Sequence, residues 1–232
     1  MIKNKNIIIT GTSSGIGMKI SKFLLKNNNF IWGCSRRKAT INHKKYNHSK
    51  IDLSNLSDIL KWTKKIKKKS QGKIDLLICN ASVLNRSLNM HEDKKNIQKT
   101  INTNLTSKIL LSKYISDLMI KKKKGTIIFF SSVASVIKQE GTSSYSASKS
   151  AIETFSEVLA KELKKFQVKV HTLRIIFLPT RLSKDLNNSK IKKILKKFKT
   201  NIFATEKKIL KKIESIINNK LNLKTIIYDK KI

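Results

Sequence analysis

Tyr145 and Lys149 stand four residues apart in a stretch of helical periodicity, so a phenol and an ammonium share one helix face. A free phenol has a pKa of about 10, too high to exchange protons readily at neutrality. A neighbouring cation favours the phenolate, so the pair can serve as a general acid/base. Ser132, 13 residues before Tyr145 and just beyond an apolar run, could hydrogen-bond a carbonyl oxygen and polarise it, and Ser131 is open to the same reading. A third feature is Thr10-Gly11-Thr12-Ser13-Ser14-Gly15-Ile16-Gly17, which follows the run Ile7-Ile8-Ile9. A buried strand that turns through glycines into a helix N-terminus makes a diphosphate site, because the backbone can approach the ligand and the free N–H groups favour its charge. Taken singly, each feature also has a plain structural reading: a helix surface pair, a loop serine, an ordinary strand–helix turn.

Apolar strands alternating with helical periods must position these groups. Ile7–Ile9 reads as the first strand, and Ile16, Ile20, Phe23 and Leu24 form a helix face that Asn27-Asn28-Asn29 ends. Phe30–Cys34 reads as strand two and Ile51-Asp52-Leu53 as a short strand three, followed by a helix from Asp58 to Lys69. Ile74–Cys79 is strand four, Ile97 to Lys121 one long helix, and Thr126–Phe130 strand five. Tyr145 to Lys165 is a helix with Ile152, Phe155, Leu159 and Leu163 inward; strand six lies within Val168–Phe177 and a last strand at Thr225–Tyr228. Continuous apolar strands between helices predict an α/β fold: a parallel sheet of about seven strands with helices on both faces. Ligands in such sheets bind at the carboxyl ends of the strands, where every candidate above sits.

The 232 residues suit one domain, 1–232, with no repeat or compositional break. The net charge is +37, yet arginine, the better reader of phosphates and bases, occupies only positions 36, 37, 86, 174 and 181. Dispersed lysines without a nucleic-acid motif read as compositional drift rather than a polyanion site. Cys34 and Cys79 are isolated beside apolar runs and read as buried thiols, and the four histidines form no metal-like cluster. No signal-peptide pattern or membrane-length apolar run occurs, so the expectation is a cytoplasmic protein with no membrane span and no specific nucleic-acid partner.

Six elements in the right order and spacing resemble the short-chain dehydrogenase/reductase family over nearly the whole chain. They are Thr10-Gly11-x3-Gly15-Ile16-Gly17, Asp52-Leu53, Asn80-Ala81, Asn104, Ser132 and Tyr145-Ser146-Ala147-Ser148-Lys149. The resemblance implies a single-domain, doubly wound Rossmann-like sheet of seven parallel strands, and a hydride transfer between a nicotinamide dinucleotide and a carbonyl or alcohol. It makes Tyr145 the acid/base, with Lys149 holding the nicotinamide ribose and lowering the Tyr145 pKa. Ser132 would orient the carbonyl, and Asn104 would anchor a water linking Lys149 to solvent. Gly11, Ser13, Ser14, Gly15, Ile16 and Gly17 would line the pyrophosphate and adenine ribose, Asp52 and Leu53 the adenine, Asn80 and Ala81 the nicotinamide-side ribose, and Thr180 would touch the cofactor. Strand two ends in Cys34-Ser35-Arg36-Arg37-Lys38, with no acid to accept from a ribose 2′-hydroxyl. The guanidinium fork suits a 2′-phosphate, so NADP(H) is favoured over NAD(H), with Arg36 the first choice and Arg37 the next.

The chain departs from the family's Pro-Gly turn after strand six, carrying Ile175-Ile176 there, so that turn must differ. Segment 182–203 is lysine-rich with apolar residues at helical spacing, and reads as a substrate lid or a dock for an anionic carrier. The implied partners are a small carbonyl substrate (a ketone, a 3-oxoacyl thioester or a sugar-like carbonyl) and other copies of the chain, joined through the two long helices. A catalytically weak dinucleotide-binding regulator, suggested by Ile175-Ile176, and a polyanion-binding protein are the alternatives.

Overall fold

The β-branched runs become strands and the 3.6-period segments become helices, in the order β1 (Asn6–Thr10), α1 (Gly15–Leu25), β2 (Phe30–Ser35), β3 (Tyr46–Lys50), α2 (Leu56–Lys69), β4 (Leu76–Cys79), α3 (Lys94–Ile101), α4 (Ser107–Lys121), β5 (Gly125–Ser132), α5 (Ala134–Ile137), α6 (Ser143–Leu163), β6 (Val168–Ile175), α7 (Glu206–Ile217) and β7 (Thr225–Ile227). The structure is a computed structural model that describes residues 2–175, 206–218 and 225–227. Thr180, Ile176 and the 182–203 segment lie outside the described residues.

The strands form one seven-stranded sheet in the order β3-β2-β1-β4-β5-β6-β7, every pair parallel. The chain winds outward from β1 to β3, then returns and winds the other way from β4. The switch between β1 and β4 opens a crevice at their carboxyl ends. Alternation along each strand sorts the core into two layers. Ile8, Trp32, Leu77, Ile127 and Phe129 face α2, α4 and α6, where Ile59, Trp62, Leu111, Ile115 and Ile152 meet them. Ile7, Ile9, Ile31, Ile78 and Ile128 face α1 and α7, against Ile20, Leu24, Ile209, Ile213 and Ile216. The α1 helix stops where expected: Asn28 takes a positive φ of 60°, and the Asn29 amide donates to Ile2 O and Leu24 O.

Two elements differ from the sequence reading. The third strand is Tyr46–Lys50 rather than Ile51–Leu53. It is an edge strand of polar, partly exposed residues, so it carries no apolar run to find. Ile51-Asp52-Leu53 follows it as a turn in which Asp52 Oδ1 accepts from Ser54 N (2.9 Å) and Ser54 Oγ (2.7 Å). The single long helix is instead α3 and α4 joined by a π-helical turn at Asn102–Thr106. Such a turn inserts one residue into the helical repeat and re-aims the side chains around it.

Ile127 sits fully buried on the central strand β5. Ile127→Ala is expected to lower unfolding free energy by about 2–5 kcal/mol, read as a lower urea midpoint with an unchanged slope.

Candidate active site

The glycine turn closes on itself by contacts that side chains would block. Gly11 has φ +77°, and its N–H, like that of Thr12, donates to Cys34 O at the end of β2. A Cβ at residue 17 would stand 2.2 Å from Gly11 O, so α1 meets the turn only because residue 17 is glycine. Gly15, at φ +57°, faces open space. Ser14, the N-cap of α1, is extended and makes no side-chain cap bond, so the first N–H groups of the helix are left without a side-chain cap. This open, uncapped N-terminus fits the diphosphate of a dinucleotide. Thr12 is buried, and Tyr46 Oη donates to its Oγ1 (2.8 Å), with His48 Nδ1 at 3.0 Å from the same phenol oxygen. Tyr46 and His48 on β3 thus brace the turn, a role the sequence reading missed together with the strand.

Asn80 and Ala81 join this turn to the end of β4. Asn80 Nδ2 donates to Thr10 O (3.0 Å), and Ala81 N donates to Thr10 Oγ1 (3.0 Å). Beyond β2, Arg36 and Arg37 are both exposed. Arg37, the second choice by sequence, is the one that reaches the glycine turn, donating from Nη2 to Ser14 Oγ at 3.3 Å. Arg36 acts instead on Asp52, whose carboxyl is held below its ordinary value. Burial opposes that shift, but the Ser54 bonds and the charges of Arg36 and Lys99 outweigh it. Leu53 is a buried core residue.

Ser132 at the end of β5 and Tyr145 on α6 come together: Ser132 and Ser82 both act on the buried Tyr145 hydroxyl and favour its ionised form against burial. Ser82 also donates to Asn104 Oδ1 (3.0 Å), so the 80–83 loop runs from the glycine turn to the phenol. Asn104 uses its whole amide. Oδ1 accepts from Ser82 Oγ and Val83 N, while Nδ2 donates to Val83 O and Ser148 Oγ. Its side chain therefore ties the loop to α6 and has nothing left for a water.

The Lys149 Nζ donates to Phe130 O at 3.0 Å and lies over the Tyr145 ring, 5.4 Å from the centroid. Burial pushes the Tyr145 phenol above its ordinary value, and the groups that oppose this are Ser132, Ser82 and Arg86. Lys149 itself is driven well below the ordinary lysine value, by burial first and then by Lys108.

A buried charge cluster fixes the serine turn from beneath. Glu153 Oε1 accepts from Ser131 Oγ (2.6 Å), Ser135 Oγ (2.9 Å) and Arg174 Nε (2.8 Å), and Oε2 accepts from Arg174 Nη2. Ser131 is thus consumed as a support, which leaves Ser132 as the serine facing Tyr145. Ile175 lies opposite Ser132 in the ladder, and its carbonyl accepts from Val133 N (3.1 Å). The residue in the family's proline position therefore continues the strand. Glu153, Arg86 and Lys108 carry no motif, and nothing in their local sequence marks them. Among the described residues no helix is long and apolar enough to cross a membrane, and no group of three or more His, Cys, Asp or Glu could hold a metal ion.

A doubly wound sheet with a glycine turn after β1, and a serine, a tyrosine and a lysine gathered at its carboxyl edge, defines a dinucleotide-dependent class of enzyme. The chain belongs to the short chain dehydrogenase family, whose model matches residues 5–191, and it is an oxidoreductase of that family. It is similar to the 3-oxoacyl-(acyl-carrier-protein) reductase FabG of Buchnera aphidicola subsp. Schizaphis graminum, 33% identical over 214 residues that cover 90% of this chain and 87% of that one. FabG of Chlamydia pneumoniae is 31% identical over 194 residues, covering 80% and 78%. Among solved structures, 4-hydroxyisoleucine dehydrogenase complexed with NADH has a TM-score of 0.88 at 22% identity, covering 97% of each chain. Gluconate 5-dehydrogenase from Burkholderia cenocepacia, in complex with NADP and tartrate, has a TM-score of 0.86 at 18% identity, covering 98% of this chain and 94% of that one. Those two likenesses are of fold, and between them the neighbours hold both kinds of nicotinamide dinucleotide.

The Glu153–Arg174 pair yields a pH prediction. Burial alone would raise the Glu153 carboxyl, but the bonds from Arg174 and Ser131 and the Arg174 charge hold it below its ordinary 4.5. A depressed folded pKa contributes stability that is present above 4.5 and lost as pH falls through the folded value. The gap in melting temperature between the wild type and Glu153→Gln is expected to be widest near neutrality and to narrow steadily below pH 4.5.

Proposed function

We propose that this protein is an NADP(H)-preferring carbonyl reductase, acting through Ser132, Tyr145 and Lys149, and that its substrate is a 3-oxoacyl thioester. The observation that carries this reading is the buried Tyr145 hydroxyl set beside Ser132 at the carboxyl edge of the sheet, next to the 80–82 loop that bonds the glycine turn. The similarity to two FabG reductases supports the choice of thioester. The whole chain, 1–232, is read as one catalytic domain with 182–203 beside the substrate.

Bound dinucleotide supplies the hydride to the carbonyl carbon. The chain's own residues do the rest. The Ser132 and Tyr145 hydroxyls hold the carbonyl oxygen as its bond pair moves onto oxygen, and Tyr145 gives that oxygen its proton. The product is an alcohol, and the phenolate recovers a proton from solvent. A phenol pushed up by burial stays protonated at neutral pH, which suits it to the reductive direction. Lys149 would hold the nicotinamide ribose, Asn104 would hold a water by its main chain, and Thr180 would touch the cofactor.

For the 2′-phosphate, Arg37 comes before Arg36, because it lies on the glycine turn. Replacing both with alanine is expected to raise KM for NADPH by about tenfold or more while leaving KM for NADH within about twofold. An NADH preference in the unaltered enzyme would overturn the cofactor assignment. For the chemistry, Tyr145→Phe should cut kcat for reduction of a 3-oxoacyl thioester by about 10²–10⁴-fold, with dinucleotide affinity retained. Turnover that survives this change removes the proposal.

A further inference from the structure

Lys108 takes no part in the scheme above, yet it is among the most deeply buried large side chains of the protein. It stands four residues after Asn104, so both face α6 across the π-helical turn. Asn104 meets Ser148 there, and Lys108 meets the carbonyl that also holds Lys149. The two lysines, 1% and 2% exposed, aim at one atom: Lys108 Nζ lies 3.3 Å and Lys149 Nζ 3.0 Å from Phe130 O. Sharing one buried oxygen brings the two cationic groups close enough to act on each other.

Among the described residues, one carboxylate acts on the pair: Glu153, which favours the charged form of Lys149. From β4 comes the Cys79 thiol, which burial pushes up to about 12, so it stays neutral. From α6 come Tyr145, raised by burial, and Glu153, whose carboxylate is occupied by Arg174 of β6, Ser131 and Ser135. From the loop after β4 comes Arg86, another cation, which acts on Tyr145. The Phe130 carbonyl offers two lone pairs, one to each lysine. Two ammoniums held on one buried oxygen repel each other, and the loss of one proton relieves that repulsion.

We propose that Lys108 and Lys149 form a dyad that holds one proton between two nitrogens, and that Lys108 is a positioning residue which makes Lys149 share its charge behind Tyr145. A shift of the proton from one nitrogen to the other turns one ammonium into an amine and the other amine into an ammonium, and the pocket's charge is unchanged. The catalytic consequence rests on the reading of Tyr145 and Lys149 given above; the shared proton does not. Burial draws Lys108 down to about 8, and burial followed by the charge of Lys108 draws Lys149 well below the ordinary lysine value. Such a pair titrates as a unit.

The test replaces Lys108 by methionine, of similar length and without charge, a change a buried cation site tolerates well. The probe is the pH titration of the 13Cε lysine signals of the full-length protein without cofactor, with Lys149 assigned by its loss in Lys149→Met. In Lys108→Met the Lys149 midpoint should rise by about one unit or more, because the repelling neighbour is gone. The pH limits of reduction should move the same way. A second variant, Lys108→Arg, keeps a permanent cation and should lower the Lys149 midpoint instead. A Lys149 midpoint unchanged in either folded variant overturns the dyad. The titration needs no turnover, so the two readings fail separately: shifted midpoints in an inactive protein uphold the dyad and sink the reductase, and unshifted midpoints in an active one do the reverse.

Discussion

The whole carboxyl edge of the sheet depends on how closely α1 can approach the turn that precedes it. The Gly11 carbonyl occupies the place where any other residue 17 would carry its Cβ. That contact sets the angle at which α1 leaves β1, and it leaves room for Asn80 to bond across the crevice from β4. From Asn80 the connection passes to Ser82, then to Asn104 and Tyr145. A methyl group at one glycine would therefore be felt several bonds away, at a phenol on another helix, because packed interiors transmit small displacements.

Much of this was legible in the order of residues. Ile7–Ile9, Phe30–Cys34 and Thr126–Phe130 announced central strands, since both faces of a parallel sheet are buried and the strands must be apolar throughout. Gly11, Gly17, Ser132, Tyr145 and Lys149 announced a site through spacing. The edge strand Tyr46–Lys50 was not legible, because its residues answer to hydrogen-bonding partners rather than to a core. The π-helical turn was hidden too: Asn102–Thr106 has helical composition, and only the bonds that Asn104 makes to Val83 and Ser148 show why the repeat is broken there. Spacing also placed Lys149 on the right face without revealing that its ammonium bonds Phe130 O, because the competing acceptor comes from a strand 19 residues away.

The interior of the site is unusually charged. Lys108, Lys149, Glu153 and Arg174 lie on neighbouring elements, and only Glu153 and Arg174 are matched as an ion pair. Pairing of this kind rarely adds stability over apolar packing, but it fixes geometry, because each partner removed leaves an uncompensated buried charge. Here the geometry fixed is that of Ser131–Ser135, the turn presenting Ser132. Extension of β6 through Ile175 fastens the same turn from the other side by a main-chain bond to Val133. The serine is thus held by the ladder and by a carboxylate at once.

The polar make-up of β3 has a further consequence. As the first strand in the sheet order it has, among the described residues, a neighbour on one side only, so its other flank offers N–H and C=O groups that could recruit a strand from another molecule. Asn47, Ser49 and Lys50 make that strand a poor template for cross-chain stacking, since a stacked ladder would bring like lysine charges together. The composition that conceals this strand from pattern reading is thus the same composition that disfavours edge-to-edge pairing.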